Sequence, residues 1–328
     1  MNQVLKLIKE RAMNKSEPLK RKDGFKLGLA IEGGAMRGIV SAGMVLALEK
    51  LNLLNVFDSV YGSSAGAING AYFLANQADI GTTIYYDDIN NKNFINIMNM
   101  FSKKPIVSLN FVFHVIRKVK SLNCKAVISS NIPLNVVVSS INKMGSVVIN
   151  TFDDDDDLLT VLKCSSNIPY FAGGQIEYKG DSMFDAALSQ GIPLQAAVDD
   201  GCTHVLTLLT RPEGCLEKTQ STFEKLFIEH RLNRIKENLG TIYINRFNDY
   251  NKTLKYIETK AHDQSGKPHI LPIRLPHTFA KPSNLEKDRN KLIHYAKGGA
   301  QAVFDALTGE PHKIMEVISA FNAAGIKI

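Results

Sequence analysis

Lys26-Leu-Gly-Leu-Ala-Ile31 runs into Glu32-Gly33-Gly34-Ala35-Met36-Arg37-Gly38, and Phe57-Asp-Ser-Val-Tyr61 runs into Gly62-Ser63-Ser64-Ala65-Gly66. These two stretches decide the fold. Each is a short apolar run that ends in a glycine-bearing turn, and each is followed by a segment with helical spacing. Runs of this length bounded by glycine read as buried strands. Behind the first turn, Arg37 to Leu53 places Val40, Met44, Leu48 and Leu51 on one stripe; behind the second, residues 65–77 form a very apolar helix. Strands alternating with helices predict an α/β three-layer sandwich, with a mostly parallel central sheet flanked by helices.

The same reading extends outward. Further strands are expected at Leu134–Ser139, Ser146–Thr151, Gln175–Tyr178, His204–Leu209 and His269–Leu275. Helices are expected at Asp156–Ser165, Leu194–Asp200, Thr222–Glu237, Asn290–Leu307 and His312–Ala324. Residues 91–122 are rich in Phe, Met and Ile with few charges. They suit either ordinary core or a lid or wall against a long apolar substrate, where Met and Phe adapt to variable chains. The acidic run Asp153–Asp157 lacks the alternating ligands and glycine of a calcium loop and reads as a solvated helix start.

Composition excludes several classes. With 45% hydrophobic and 22% charged residues the chain is neither disordered nor collagen-like. No apolar run approaches the length that spans a bilayer, and residues 1–24 lack the apolar stretch of a secretory signal. The four cysteines show no C-x-x-C spacing and read as reduced thiols of a cytoplasmic protein. Residues 1–26 carry +5 of the total charge of +7. With Val4, Leu5, Ile8 and Ala12 near helical spacing, this basic arm fits either a solvated helix or a segment lying on an anionic membrane. A nearly neutral body without Trp argues against nucleic acid as a partner.

Chemistry concentrates in the two glycine turns. G-x-S-x-G between a strand and a helix puts Ser64 on a sharp elbow, where Gly62 and Gly66 remove Cβ atoms that would collide. The hydroxyl then sits at a helix N-terminus, which favours developing negative charge. The 32–38 turn has neither G-x-G-x-x-G nor the Lys-Ser/Thr of a P-loop, so it is a poor nucleotide site. Its unobstructed N–H groups suit an oxyanion hole instead. If the two strands are neighbours, both turns share the carboxyl edge of the sheet. A hydroxyl nucleophile needs a base, and the residues alone leave open a distant histidine (His204, His262 or His269) or Asp185 in Phe184-Asp-Ala-Ala187.

Glu32–Gly38, Gly62–Gly66 and Phe184–Ala187 together resemble the patatin-like phospholipase family: its glycine-rich oxyanion loop, its nucleophile elbow and its dyad aspartate, in that order. Cys164-Ser-Ser-Asn-Ile-Pro-Tyr-Phe171 is similar to the stretch preceding that aspartate. The resemblance covers about residues 25–215. Behind the basic arm at 1–24 that the charge marks, it implies a catalytic core at 25–215 and a helical extension at 216–328, whose closing strand at about 269–275 packs on the same domain. It implies Ser64 as nucleophile, Asp185 as base, and the N–H groups of Gly33, Gly34, Ala35 and Ala65 as the oxyanion hole. Arg37 and Gly38 would support the loop. Lipid esters are the implied substrates, with no metal or cofactor, and the basic arm is a candidate route to peripheral membrane contact.

Two positions depart from the family pattern. Ala35 stands where a third glycine is usual, and the hole is expected to survive if φ there is negative. Ala186 stands where glycine follows the aspartate, so a looser Asp185 loop and reduced activity are expected. Two alternatives follow: an α/β-hydrolase with a histidine triad, and a non-catalytic lipid-binding module on the same scaffold.

Overall fold

The computed structural model describes residues 2–101, 104–216 and 222–308. Its helices are α1 Gln3–Met13, α2 Ile39–Lys50, α3 Ala65–Leu74, α4 Ala78–Thr83, α5 Leu109–His114, α6 Cys124–Ile128, α7 Asp155–Ser165, α8 Leu194–Asp199, α9 Thr222–Asn233, α10 Leu239–His262 and α11 Arg289–Thr308. Its strands are β1 Leu27–Ile31, β2 Ser59–Ser63, β3 Leu134–Ser140, β4 Gly145–Ile149, β5 Ile176–Tyr178, β6 Asp181–Phe184, β7 His204–Leu208 and β8 His269–Ile273. The helix expected over His312–Ala324 lies outside the described residues.

All eight strands join one mixed, mostly parallel sheet. Five are parallel in the order β3-β2-β1-β7-β8. β4 pairs antiparallel with β3, and the β5–β6 hairpin also joins β3 antiparallel. Alternation along each strand divides two cores. Leu27, Leu29, Ile31, Val60, Val136, Val138, Leu206 and Leu208 face the layer that holds α2, α3, α7 and α11. Ala30, Tyr61, Val137 and Val205 face the layer of α8 and α10. A strand covered on both faces is buried at every position, as β1, β2, β3 and β7 are, and it favours apolar residues throughout, as in β1 and the centre of β3. β4, at an edge, alternates in burial instead.

Within the basic arm, residues 3–13 form α1, which packs on the fold. Asn2 caps α1 by accepting the Val4 N–H at 2.8 Å, and Val4, Leu7 and Ile8 are buried in the main core. Arg11, only 2% exposed, donates to Asp23, Asp58 and the carbonyls of Val56 and Phe25. Of the apolar stripe, Val4 and Ile8 are buried, Leu5 is half-buried and Ala12 is exposed. α1 lies by the amino end of the parallel strands, since Asn2 bonds Ile270 near the start of β8 and Arg11 bonds the segment entering β2. Strands of five residues separate that edge from the carboxyl edge by about 15 Å.

Most of the apolar segment 91–122 is core: Phe94, Ile95, Val107, Leu109, Val112 and Phe113 are buried. Ile97 and Met98 are exposed. Among the described residues no helix is long and apolar enough to cross a membrane.

Candidate active site

Register along β3 brings the two turn residues together. β2 runs beside β3 until Ser63 stands opposite Val137. β6 takes up the same edge farther on, with Phe184 opposite Ser139. It must be the same edge, because β4 occupies the other one at both Val136 and Ser139. One step beyond Ser63 and one beyond Phe184, in opposite chain directions, both lead to the level of Val138. Ser64 and Asp185 therefore meet although 121 positions separate them, and the Ser64 Oγ donates to Asp185 Oδ2 at 2.9 Å.

The elbow is strained. Ser64 has φ 55° and ψ −128°, a left-handed conformation for a residue with a Cβ. Ser165, wholly buried on α7, pins it: its Oγ accepts the Ser64 N–H at 2.8 Å and donates to the Val137 carbonyl at 2.6 Å. Gly62 and Gly66 permit the reversal. A Cβ on Gly66 would stand 2.2 Å from the Ile31 carbonyl oxygen, and one on Gly62 2.3 Å from the Ala67 Cα.

Asp185 is 1% exposed and Ser64 7%. Burial pushes the Asp185 carboxyl up to about 7, against the opposing pull of the Ala187 N–H and the Ser64 hydroxyl. The Ala187 N–H donates to Oδ1 at 2.7 Å, and the Asp185 N–H donates to the Asn167 carbonyl at 2.9 Å. Both anchors fix the carboxylate's orientation. The looser loop expected from Ala186 is not found. Ala186 begins a 3-10 turn, has no left-handed φ, and is buried beside Ala30, Tyr61 and Val137, so nothing there demands glycine.

The 32–38 turn lies directly on the elbow. A Cβ on Gly33 would stand 2.3 Å from the Ser63 carbonyl oxygen and 2.9 Å from both the Ala65 nitrogen and the Ser64 Cβ. Gly34 takes φ 140° over the Arg37 guanidinium. Arg37 Nε donates to Thr210 Oγ1 at 3.0 Å, and that hydroxyl donates to the Gly33 carbonyl at 3.1 Å. Gly38 packs against Ala65 and Tyr85. Among the described residues, the N–H groups of Gly33, Gly34, Ala35 and Ala65 have no hydrogen-bond acceptor, whereas the Met36 N–H donates to the Asn284 carbonyl. Such groups are available to a developing oxyanion.

The condition set for Ala35, a negative φ, is not met: its φ is 50°. The turn imposes this geometry, and alanine tolerates it at a cost of about 1–2 kcal/mol. Ala35→Gly removes that cost, partly offset by a more flexible unfolded chain. We expect a melting temperature about 1–3 °C higher by differential scanning calorimetry. A fall would show that the alanine is not strained.

No histidine reaches the dyad from the sheet. His204 and His269 pair across the starts of β7 and β8, at the edge opposite Ser64. His204 bonds Thr203 through Nδ1 at 2.9 Å and is pushed down to about 4 by burial, then by His269 and Lys267. It is a structural core residue, and the histidine-triad alternative loses its nearest candidate. Sequence reasoning assigned no role to Ser165, Thr210 or Tyr250. Ser165 sits within the quoted stretch 164–171, but an isolated hydroxyl there carries no local signature.

A family model described as patatin-like phospholipase matches residues 29–198. The uncharacterized protein YjjU of Escherichia coli (strain K12) is 22% identical over 200 residues, covering 57% of this chain and 52% of that protein. The chain thus spans about half the length of that curated relative. The crystal structure of VipD from Legionella pneumophila superposes with a TM-score of 0.42 at 12% identity, covering 88% of this chain and 67% of that one.

Proposed function

The chain belongs to the patatin-like phospholipase family, and from that premise we propose that it is a lipid acyl hydrolase cleaving carboxylic esters through a Ser64–Asp185 dyad. Support comes above all from one contact, the 2.9 Å hydrogen bond from Ser64 Oγ to a carboxylate that burial has made more basic.

A free aspartate is too weak a base to draw a serine proton, at a pKa of about 3.9. Raised to about 7, Asp185 is ionised in a large fraction of molecules near neutral pH and accepts a proton more readily. As Ser64 Oγ attacks the ester carbon, its proton passes to Asp185 Oδ2. The carbonyl oxygen becomes an oxyanion, held by N–H groups of Gly33, Gly34, Ala35 and Ala65. Asp185 returns the proton to the departing alcohol, leaving an acyl-enzyme. Water then attacks that ester and gives its proton to Asp185. Collapse of the second tetrahedral species restores Ser64 and releases the fatty acid. Arg37 acts through Thr210 and the Gly33 carbonyl, holding the loop rather than moving protons.

The substrate class is a phospholipid or other lipid ester. A fluorophosphonate probe tests the proposal, since it captures an activated serine regardless of head group. Stoichiometric labelling at Ser64, located by peptide mass spectrometry and lost in Asp185→Asn, is expected, together with fatty acid release from mixed lipid vesicles. A folded protein that takes up no probe would sink the hydrolase and favour a lipid-binding module.

A further inference from the structure

We infer that Tyr250, on α10, is a positioning residue for the proposed reaction, holding the 32–38 turn in its oxyanion-binding shape through the Glu32 carboxylate. The inference rests on the function proposed above and deepens it. Tyr250 lies outside residues 29–198, the part of the chain matched by the family model.

Glu32 is 2% exposed and immediately precedes Gly33. Each part of it is engaged. Its N–H donates to the Leu208 carbonyl, and its own carbonyl accepts the Ser41 hydroxyl at 3.0 Å. Carboxylate Oε2 accepts the Thr210 N–H at 2.6 Å. Oε1 accepts the Tyr250 hydroxyl at 2.9 Å and Arg211 Nη1 at 3.3 Å. Thr210 also reaches the Gly33 carbonyl. Three separate segments thus converge on one carboxylate at the base of the turn: the end of β1, the chain after β7, and α10.

Tyr250 is placed to tie that carboxylate to the rest of the site. Its ring carries the Arg211 guanidinium 4.1 Å above it. It also lies against Gly191, where a Cβ would stand 3.6 Å from the ring, so it touches the segment that follows Asp185. Burial and the neighbouring Glu32 push the phenol's pKa far up, and it remains a hydrogen-bond donor throughout the working pH range. Gly34 and Ala35 hold left-handed φ values, and such a conformation persists only when its surroundings over-determine it. Removing one tether lets the turn sample shapes whose N–H groups miss the oxyanion, and small misplacements there are costly in rate.

Tyr250→Phe removes only the hydroxyl and keeps the ring packing. Its control is Leu254→Val, one turn further along the helix in the same buried cluster, a side chain with no group to hydrogen-bond Glu32. The expected result has two parts. Amide exchange of the peptide covering residues 32–38 accelerates about tenfold in Tyr250→Phe and stays at the wild-type rate in Leu254→Val. With a soluble ester, kcat of Tyr250→Phe falls about tenfold while KM stays within twofold; Leu254→Val keeps its kcat. Unchanged exchange in Tyr250→Phe overturns the inference, as does wild-type kcat in that variant or an equal loss in the control. A wild-type protein that hydrolyses nothing while the exchange difference persists overturns the proposed function and leaves the tether standing.

Discussion

Asp185→Asn is expected to abolish ester hydrolysis and, at pH 8, to make the protein more stable than the wild type. The loss of activity follows from the proton. An amide in place of the carboxylate cannot take up the Ser64 hydrogen, and loss of a positioned general base costs about 10²–10⁴ in rate. The gain in stability follows from burial. In the folded protein the Asp185 carboxyl titrates at about 7, against about 3.9 for an unfolded aspartate. Between those values the native state keeps a proton that the unfolded chain has released, so stability falls as pH rises from 4 towards 7. At pH 8 the wild type holds a buried carboxylate at a cost on the order of 2–4 kcal/mol; asparagine does not. Denaturant titration should show the variant ahead at pH 8 and the difference vanishing below pH 4, where both states are protonated. A difference independent of pH would mean that the carboxyl is not perturbed. In the wild type, hydrolysis should fall tenfold per unit below about pH 7, because only the ionised form accepts the proton.

Gly33→Ala is expected to cost at least about 10²-fold in kcat, the effect of losing one oxyanion donor. The reason is space, not flexibility. The added carbon would stand 2.3 Å from the Ser63 carbonyl and 2.9 Å from the Ala65 nitrogen, all of it backbone that cannot swing aside. The turn and the elbow must separate, which draws the Gly33 and Gly34 N–H groups away from Ser64. Overpacking of this kind destabilises by about 1–3 kcal/mol, so the variant should stay folded at 25 °C and lose probe labelling as well as turnover. Activity within twofold of wild type would show that the two turns do not need to touch.

Legibility in the sequence tracked locality. β1 and β2 with their glycine turns were readable because each completes its signal within about ten residues: an apolar run, a turn residue, then helical spacing. The β5–β6 hairpin was half missed, since Asp181–Phe184 is only four residues long and, although Asp181–Met183 pair locally with Ile176–Tyr178, its place in the sheet is set by distant Ser139 and Ser140. α10 escaped altogether. Asn245, Asn248, Asn251 and several Thr and Tyr residues give it weak helical propensity, and it forms because Tyr243, Leu254 and Ile257 find cores to bury in. The arm at residues 1–24 was read by its charge, but Arg11 is buried against Asp23 of the arm itself and against Asp58, which lies outside the arm and was not set against it.

By itself, then, the order of residues determined the α/β layering, the two turns and the identity of a candidate nucleophile. Each of these depends on side-chain periodicity and on where a Cβ can fit, both properties of a short stretch. Tertiary structure decided that a carboxylate rather than an imidazole faces Ser64, that Ala35 is left-handed, and that a tyrosine from α10 reaches the base of the 32–38 turn. Those outcomes depend on which strands share an edge of β3 and on how deeply Asp185 is buried. Register and burial arise only when distant segments pack.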